Sequence, residues 1–451
     1  MNGRGRPEGM SAFTIIWLGQ VASVLGTRMT NFALAIFVWQ QTHRATDVGL
    51  MTFFAFGATV LCSPLAGALI DRWNRRLTIV LSDLGSAAAV LVALALFATH
   101  SVSVWHLFAL NAVTGAFVAF QQPAYAATIS LMMPREHFPR ANAMLSMVRS
   151  IPGVFAPALA AALLGFVSVQ GVLALDVASY AIGIGTVFLV AVPAAAPAAR
   201  ARAAAGWRGA LVGFQRIWGD AGLRGLQAML FAINLMAGLG WIVLTPMILA
   251  RTGGDQVQLG AVMSIGAIGG IAGGLAVTAT KAPAVKMPWV LLGILVFSVL
   301  GRVLLGLGDT LAVWAAAWFC AWACIPLIDG YCQSIWQERV EPAIQGRVFA
   351  ARQLVENMTQ PLSLAIAGPL ADAVLEPAMR PGGALARALG GLVHPGPGGG
   401  MALIFVVSGL AGVAVTAVSA LTPAVRRVES ITPHPPDPAP APAEAAGGGI
   451  R

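Results

Sequence analysis

The chain has 451 residues, of which 58% are apolar and only 10% are charged, and its mean hydropathy is +0.79. A soluble protein carries about a quarter charged residues, so this composition excludes an ordinary soluble enzyme. The four cysteines lie in apolar runs without metal-ligand spacing, which indicates buried thiols and neither a disulfide framework nor a zinc site. The composition therefore predicts a protein that crosses a membrane several times.

Apolar stretches long enough to cross a bilayer as a helix recur along the whole chain. They fall in two sets of six, at roughly 13–40, 47–70, 77–98, 103–128, 141–166 and 170–192, and at roughly 224–250, 256–280, 287–307, 310–334, 347–371 and 401–422. The first stretch is too long for the apolar core of a signal peptide, so we expect it to be retained. We number these stretches as spans 1 to 12.

The spans divide the chain into an N-terminal six-helix bundle (1–192), a cytoplasmic linker (193–223), a C-terminal six-helix bundle (224–422) and a disordered Pro- and Ala-rich tail (423–451). Lys and Arg are about five times as frequent in the loops on the side of the termini as in the opposite loops. This bias predicts that both termini are cytoplasmic. The net charge of +9 then faces the cytoplasm, and no nucleic-acid partner is needed to explain it.

The two halves of the chain resemble each other. Residues 134–150 lead into span 5 and residues 341–359 into span 11, and aligning Arg140 with Arg347 gives an offset of 207 residues. Two repeats with a site between them are typical of secondary transporters, although two Ala- and Arg-rich helix starts could match by coincidence. The predicted fold is an all-α polytopic membrane protein of twelve transmembrane helices, in two six-helix bundles related by pseudo-twofold symmetry.

The loop after span 2 reads GALIDRWNRR, and it carries the residues Gly67, Asp71, Arg72, Arg75 and Arg76. This pattern resembles the first signature loop of the major facilitator superfamily, with an asparagine in place of one glycine. The resemblance implies that the loop controls conformational exchange. Physically, the aspartate can accept bonds from a neighbouring helix N-terminus, and the arginines can pair with carboxylates or anionic membrane lipid. The alternative is a merely basic cytoplasmic loop.

Three further patterns refine the resemblance. In span 5, Gly153 and Pro157 resemble a motif of antiporters, in which small residues and proline let helices approach and bend. In span 4, Asn111 departs from the arginine that drug–proton antiporters of the superfamily often carry there. The segments 17–42 and 346–372 are similar to the branch that contains enterobactin-type siderophore exporters and macrolide-efflux permeases.

Polar side chains align on one face of several spans at about 100° per residue. Such faces are disfavoured against lipid, so they are expected to line a cavity or to form hydrogen bonds between helices. The predicted cavity residues are Gln20, Thr27 and Asn31 of span 1, Asn111, Gln122 and Tyr125 of span 4, Asn234 and Trp241 of span 7, and Gln353 and Gln360 of span 11. A stripe of Trp314, Trp318 and Trp322 in span 10 faces either substrate or lipid.

One carboxylate lies well inside a span. Glu356 is on the polar face of span 11, where an ionised group costs several kcal/mol unless it is paired or hydrated. The 207-residue offset puts Arg149 at the equivalent position, so the two could pair directly or through Arg28. Three roles stay open: a fixed ion pair, proton coupling, or recognition of a cationic substrate.

Other functional classes have little support. An ATP-binding loop needs Gly-Lys-Ser/Thr, which neither Lys281 nor Lys286 provides, and the six histidines are too scattered for a membrane enzyme. We expect a secondary transporter of the bacterial cytoplasmic membrane that exports a small organic molecule in exchange for protons, by alternating access. The alternatives are an importer or uniporter of the same fold, or a sensor without flux. No cofactor, metal or oligomer is required.

Overall fold

The computed structural model describes residues 7, 9–70, 75–132, 138–190, 207–281, 283–341 and 344–429. These residues form helices and connecting loops, with no strand in the described ranges. We label the helices that correspond to the predicted spans α1 to α12. They are α1 (Gly9–Thr42), α2 (Ala45–Ile70), α3 (Arg75–Ala98), α4 (Val104–Met132), α5 (Phe138–Leu164), α6 (Val169–Leu189), α7 (Ala221–Arg251), α8 (Gln256–Ala279), α9 (Met287–Leu307), α10 (Leu311–Arg339), α11 (Gln345–Asn357 and Thr359–Pro369) and α12 (Gly399–Leu421).

Ten of the described helices are long and apolar enough to cross a membrane. The two that fall short are α5, whose apolar part is Ser150–Leu164, and α11, which is divided at Met358. Both start in the polar repeat segments that the sequence aligns, which lowers their hydropathy without removing the helix. The twelve-helix prediction agrees with this architecture.

The packing of the helices repeats from one half of the chain to the other. In the first half, α1 packs against α5 and α6, α2 against α4, and α3 against α4 and α6. In the second half, α7 packs against α11 and α12, α8 against α10, and α9 against α10 and α12. Adding six to each label converts one set into the other, which confirms the predicted pseudo-twofold symmetry. Between the halves, α2 packs against α11 and α5 against α8, and the same symmetry exchanges these two contacts.

Close approach within each bundle depends on glycine. Gly115 of α4 lies against the backbone of Ala55 in α2, and Gly273 of α8 lies against the backbone of Ala323 in α10. A β-carbon at either position would collide with a carbonyl oxygen of the neighbouring helix. Small residues at such contacts let membrane helices gain van der Waals contact where no hydrophobic effect drives them together.

The linker contains a helix that the sequence analysis did not predict. Trp207–Gly219 packs against the start of α11, and at Gly213 a side chain would collide with the carbonyl of Arg347. Asp220 then begins α7 by accepting hydrogen bonds from two of its first backbone amides, at 2.9 and 3.1 Å. Its other oxygen pairs with Nη2 of Arg339 at 2.6 Å. The linker helix is therefore attached to the C-terminal bundle.

The loop before α12 is anchored by Glu376. Its carboxylate accepts hydrogen bonds from the backbone amides of Gly398 and Met401, at 3.2 and 3.0 Å. Burial raises the pKa of this carboxyl group above its usual value, and the amide hydrogen bonds partly oppose that shift. The loop is thus held against the first turn of α12.

Candidate functional site: a two-part cavity between the bundles

A central cavity of about 880 Å³ lies between the two bundles. Its walls come from α1, α2, α4 and α5 of the first bundle and from α7, α8 and α10 of the second. Most lining side chains are apolar, and a few polar groups are interspersed among them. The polar lining side chains are Arg28, Asn31, Thr52, Asn111, Ser150, Thr245 and Thr278.

Three tryptophans form one wall of this cavity. The rings of Trp241, Trp318 and Trp322 contact one another, with centroids 6.0 to 6.3 Å apart. Trp241 comes from α7 and the other two from successive turns of α10. Of the three tryptophans predicted to face either substrate or lipid, Trp318 and Trp322 line the cavity. Trp314 is buried in the protein core.

A side cavity of about 320 Å³ adjoins the same tryptophans within the C-terminal bundle. Its lining is much more polar, with the amides of Asn234, Gln353, Asn357 and Gln360 and the carboxylate of Glu356. Because Trp241, Trp318 and Trp322 line both spaces, the two cavities are adjacent parts of one site. The site offers apolar and aromatic surface at its centre and hydrogen-bonding groups at its C-terminal side.

A fully buried cation borders the side cavity. Arg302 lies between the rings of Phe297 and Phe405, with its guanidinium carbon 5.3 Å from each ring centroid. It also donates a hydrogen bond to the carbonyl of Met236 in α7. The residue belongs to a π-helical turn of α9, Phe297–Val303, and such turns are frequent at functional sites. The structure records no ion pair for Arg302 in the described part of the chain, and the aromatic faces stabilise its charge.

Glu356 is paired with an arginine of its own helix. Its Oε1 lies 2.6 Å from Nε of Arg352, one turn earlier in α11. Arg352 also donates to Oε1 of Gln333 in α10 at 2.8 Å and lies over the ring of Trp336. The predicted pairing with Arg149 is untested, since that side chain lies outside the described residues, and Arg28 lines the central cavity instead.

The predicted cavity residues divide into two groups. Asn31, Asn111 and Trp241 line the central cavity, and Asn234, Trp241, Gln353 and Gln360 line the side cavity. The side chain of Gln122 lies outside the described residues. The structure places Gln20, Thr27 and Tyr125 elsewhere: they are directed into the core of the first bundle, towards α3 and α6, and line neither cavity. For Gln20 and Thr27 the alternative, hydrogen bonding between helices, is the better description.

Sequence reasoning missed the two carboxylates that these polar residues surround. Asp83 of α3 and Asp176 of α6 are both completely buried. Gln20 donates to Oδ2 of Asp83 at 3.4 Å, and the hydroxyl of Thr27 lies 3.4 Å from Oδ1 of Asp176. A single acidic residue in an otherwise apolar span was the available signal, and only the packing shows that both belong to one network.

A third residue that sequence reasoning missed joins the two bundles. Asp372, just beyond α11, accepts hydrogen bonds from the backbone amides of Ala45 and Thr46, at 3.0 and 2.8 Å, and from the Thr46 hydroxyl at 2.6 Å. A carboxylate at this position complements the partial positive charge of the α2 N-terminus. We call this arrangement the Asp372 contact, and it lies at the end of the bundles that is predicted to be external.

The predicted gating loop is only partly described. Gly67 lies in the last turn of α2, Asp71 and Arg72 lie outside the described residues, and Arg75 begins α3 with a side chain that is also not described. Arg76 donates to the carbonyl of Phe188 at 3.2 Å and lies over its ring, which ties α3 to the end of α6.

The antiporter-like motif of span 5 lies where the two bundles meet. Gly153 and Pro157 of α5 line the central cavity. The carbonyl of Pro157 also lies so close to Gly260 of α8 that a β-carbon there would collide with it. Small residues on both helices thus permit the contact between α5 and α8.

Two symmetric bundles around an inter-bundle cavity are typical of multi-pass membrane transport proteins. The sequence profile of the Major Facilitator Superfamily matches residues 16–364. The chain belongs to this superfamily, and it is a transporter and not an enzyme.

Among sequence relatives, the macrolide efflux protein A of Streptococcus pyogenes is 26% identical over 181 residues, which are 40% of this chain and 45% of that protein. An uncharacterized MFS-type transporter of Bacillus subtilis, YfiS, is 26% identical over 163 residues, 36% of this chain and 38% of that protein. The chain therefore matches less than half the length of these relatives.

Solved structures are similar over nearly the whole chain. A bacterial homolog of the human lysosomal transporter Spinster, in an inward-facing and occupied conformation, has a TM-score of 0.65 and 15% identity, and the match covers 93% of this chain and 96% of that one. The nucleoside transporter NupG has a TM-score of 0.65 and 13% identity, covering 91% and 98%. At these identities the likeness supports the fold alone.

Proposed function

We propose that this protein is a proton-coupled exporter of amphipathic organic molecules in a bacterial cytoplasmic membrane, acting by alternating access. The observation that carries the proposal is the two-part cavity. An apolar body fits the central cavity against Trp241 and Trp318, and a polar end reaches the amides of Gln353 and Gln360 in the side cavity. The relative named macrolide efflux protein supports an antibiotic-like natural product as the substrate.

The arrangement of contacts supports a state that is closed at the predicted external end. The Asp372 contact joins the bundles there, while the lining of the central cavity reaches Thr278, one residue before the predicted cytoplasmic end of α8. A substrate could enter this cavity from the cytoplasm. The predicted gating loop, with Asp71 and Arg75, would then close the cytoplasmic end when the Asp372 contact opens.

Glu356 has a separate role in this proposal. Its ion pair with Arg352 borders the side cavity, so a polar substrate group that approaches the carboxylate competes with the guanidinium. We expect Glu356→Gln to weaken binding of the substrate while preserving its exchange across the membrane. If the variant instead keeps its affinity and loses only proton-driven accumulation, Glu356 is a coupling residue. Unchanged affinity and unchanged accumulation would leave the pair as scaffolding.

The test uses purified protein in proteoliposomes with a radiolabelled macrolide, erythromycin, as the probe. An inside-acidic gradient should drive accumulation of the probe in vesicles whose protein is oriented for uptake of the exported compound. Trp241→Ala should reduce this accumulation. The control is Asp309→Asn, which changes an exposed carboxylate in the loop after α9 and should leave accumulation unchanged. Equilibration of the probe that does not depend on the proton gradient would indicate a uniporter. Accumulation under an inside-alkaline gradient would indicate an importer, and binding of the probe without flux would indicate a sensor.

A further inference from the structure

The N-terminal bundle contains two carboxylates that the substrate cavity does not use. Asp83 of α3 and Asp176 of α6 have no exposed surface, and the structure records no ion pair for either within the described part of the chain. An ionised carboxylate in a membrane interior costs several kcal/mol unless it is paired or hydrated. Both groups therefore favour binding a proton over carrying a charge.

Among the described residues, the surroundings of Asp83 supply hydrogen-bond donors and no counter-charge. Gln20 of α1 and Gln121 of α4 each donate an amide hydrogen to one of its oxygens. The titratable groups that face it are the phenols of Tyr125 in α4 and Tyr180 in α6. The hydroxyl of Tyr125 has no hydrogen-bond partner among the described residues, although it is more than nine-tenths buried. The Tyr125 hydroxyl is thus a polar group near Asp83 that could still donate or accept a hydrogen bond.

Asp176 shows a similar incomplete environment. Its Oδ1 contacts the hydroxyls of Thr27 and Ser179, whereas its Oδ2 makes no hydrogen bond. The hydroxyl of Thr30, also on α1, lies near this carboxyl group and likewise has no partner. A carboxylate can only accept hydrogen bonds, but a carboxylic acid can also donate one. A proton on Oδ2 would give this oxygen the capacity to donate, which the carboxylate lacks.

The two carboxylates lie at different depths and are joined by hydroxyl groups. Asp83 is about two turns from the predicted cytoplasmic start of α3, and Asp176 is about two turns from the predicted external start of α6. Between them, the Tyr180 hydroxyl lies 2.9 Å from the hydroxyl of Thr27 and beside Ser86, one turn from Asp83 in α3. Hydroxyl groups both donate and accept, so such a series can pass a proton.

We propose that the coupling proton binds in this N-bundle acidic cluster, on Asp176 and Asp83, apart from the substrate cavity. The inference rests on the proton-coupled export proposed above and names the site of coupling. In one transport cycle, Asp83 releases its proton to the cytoplasm, the proton of Asp176 passes to Asp83 through the hydroxyl groups, and a proton from the external side restores the Asp176 carboxyl group. Helix α1 connects this site to the substrate, because Thr27 contacts Asp176 while the adjacent Arg28 lines the central cavity.

The first test detects the bound protons without any substrate. Infrared spectra of the reconstituted protein at neutral pH should contain the carbonyl-stretching band of buried, protonated carboxyl groups. Asp83→Asn and Asp176→Asn should each remove part of that band, and the control Asp309→Asn should leave it unchanged. Asparagine is tolerated at Asp83 because Gln20 and Gln121 can rotate their amides to donate or accept. A band that neither variant reduces overturns the proposal.

The second test separates proton binding from coupling. With erythromycin as the probe, both variants should lose accumulation driven by a proton gradient and keep exchange of labelled for unlabelled probe. Tyr180→Phe, which removes only the hydroxyl between the carboxylates, should also lose accumulation, and it replaces any variant that fails to insert. If the wild-type protein shows no gradient-driven transport, both this inference and the proposed coupling are wrong. If the wild-type protein is coupled and the aspartate variants stay coupled, only this inference is wrong.

Discussion

Removing the Asp372 carboxylate should release the predicted external end of the protein. Asp372 makes three hydrogen bonds to the first turn of α2, from Ala45 N, Thr46 N and the Thr46 hydroxyl, across the boundary between the bundles. Loss of a helix cap costs about 1 kcal/mol, and a hydrogen bond to a charged group contributes about 1.5–3 kcal/mol. We therefore expect Asp372→Ala to destabilise the externally closed state by about 2 kcal/mol. That free energy changes the ratio of closed to open molecules about thirtyfold.

The predicted change can be measured as a distance between the bundles. Spin labels at Arg44 and Arg380, both exposed, report on the two sides of the Asp372 contact in a background without the four native cysteines. Asp372→Ala should add a population with a longer distance, and Asp372→Asn, which keeps one acceptor oxygen, should add less. The control Asp309→Ala removes an exposed carboxylate in the loop after α9. A distance distribution identical to that of the wild type in a folded Asp372→Ala variant would refute the role of this contact.

Three further predictions concern single residues. Trp241→Ala should weaken binding of erythromycin by roughly fivefold or more, because aromatic contacts contribute about 1 kcal/mol beyond burial, and equilibrium binding to the detergent-solubilised protein measures this. Asp220→Ala leaves the guanidinium of Arg339 buried without its partner, so thermal unfolding should show a loss of about 3 kcal/mol or more, whereas unchanged stability would contradict the ion pair. Asp255→Ala removes the cap of α8 and should cost about 1 kcal/mol. Backbone and side-chain hydrogen bonds from Gln258 lower the pKa of Asp255. The ionised Asp255 carboxylate therefore stabilises the folded state above the unfolded-state pKa, and this stabilisation is lost as pH falls through the lowered folded-state pKa. The difference in stability between Asp255→Ala and the wild type should accordingly vanish in acid.

Much of the fold follows from local features of the chain. Hydropathy depends on consecutive residues, and a helix that satisfies its own backbone is the structure that such a stretch adopts in lipid. The spans, the pairing of residues 134–150 with 341–359 and the inter-bundle position of the cavity were therefore accessible from order and composition. Some of the side chains that line the site, such as Asn31 and Gln360, were predicted from the helical period, which places them on the polar face of their spans.

Tertiary structure decided which groups meet. Periodicity does not decide what the polar face of α1 contacts, because α6 and the cavity lie on neighbouring sides of the helix. In the packed structure Gln20 and Thr27 contact the buried carboxylates. Glu356 pairs with Arg352 in its own helix, a contact that the repeat alignment did not favour. Asp372 reaches the start of α2 across more than 300 residues of chain. Periodicity describes a helix by itself, whereas hydrogen bonds and ion pairs depend on the rotation and depth of its neighbours, which arise only when all the helices pack together.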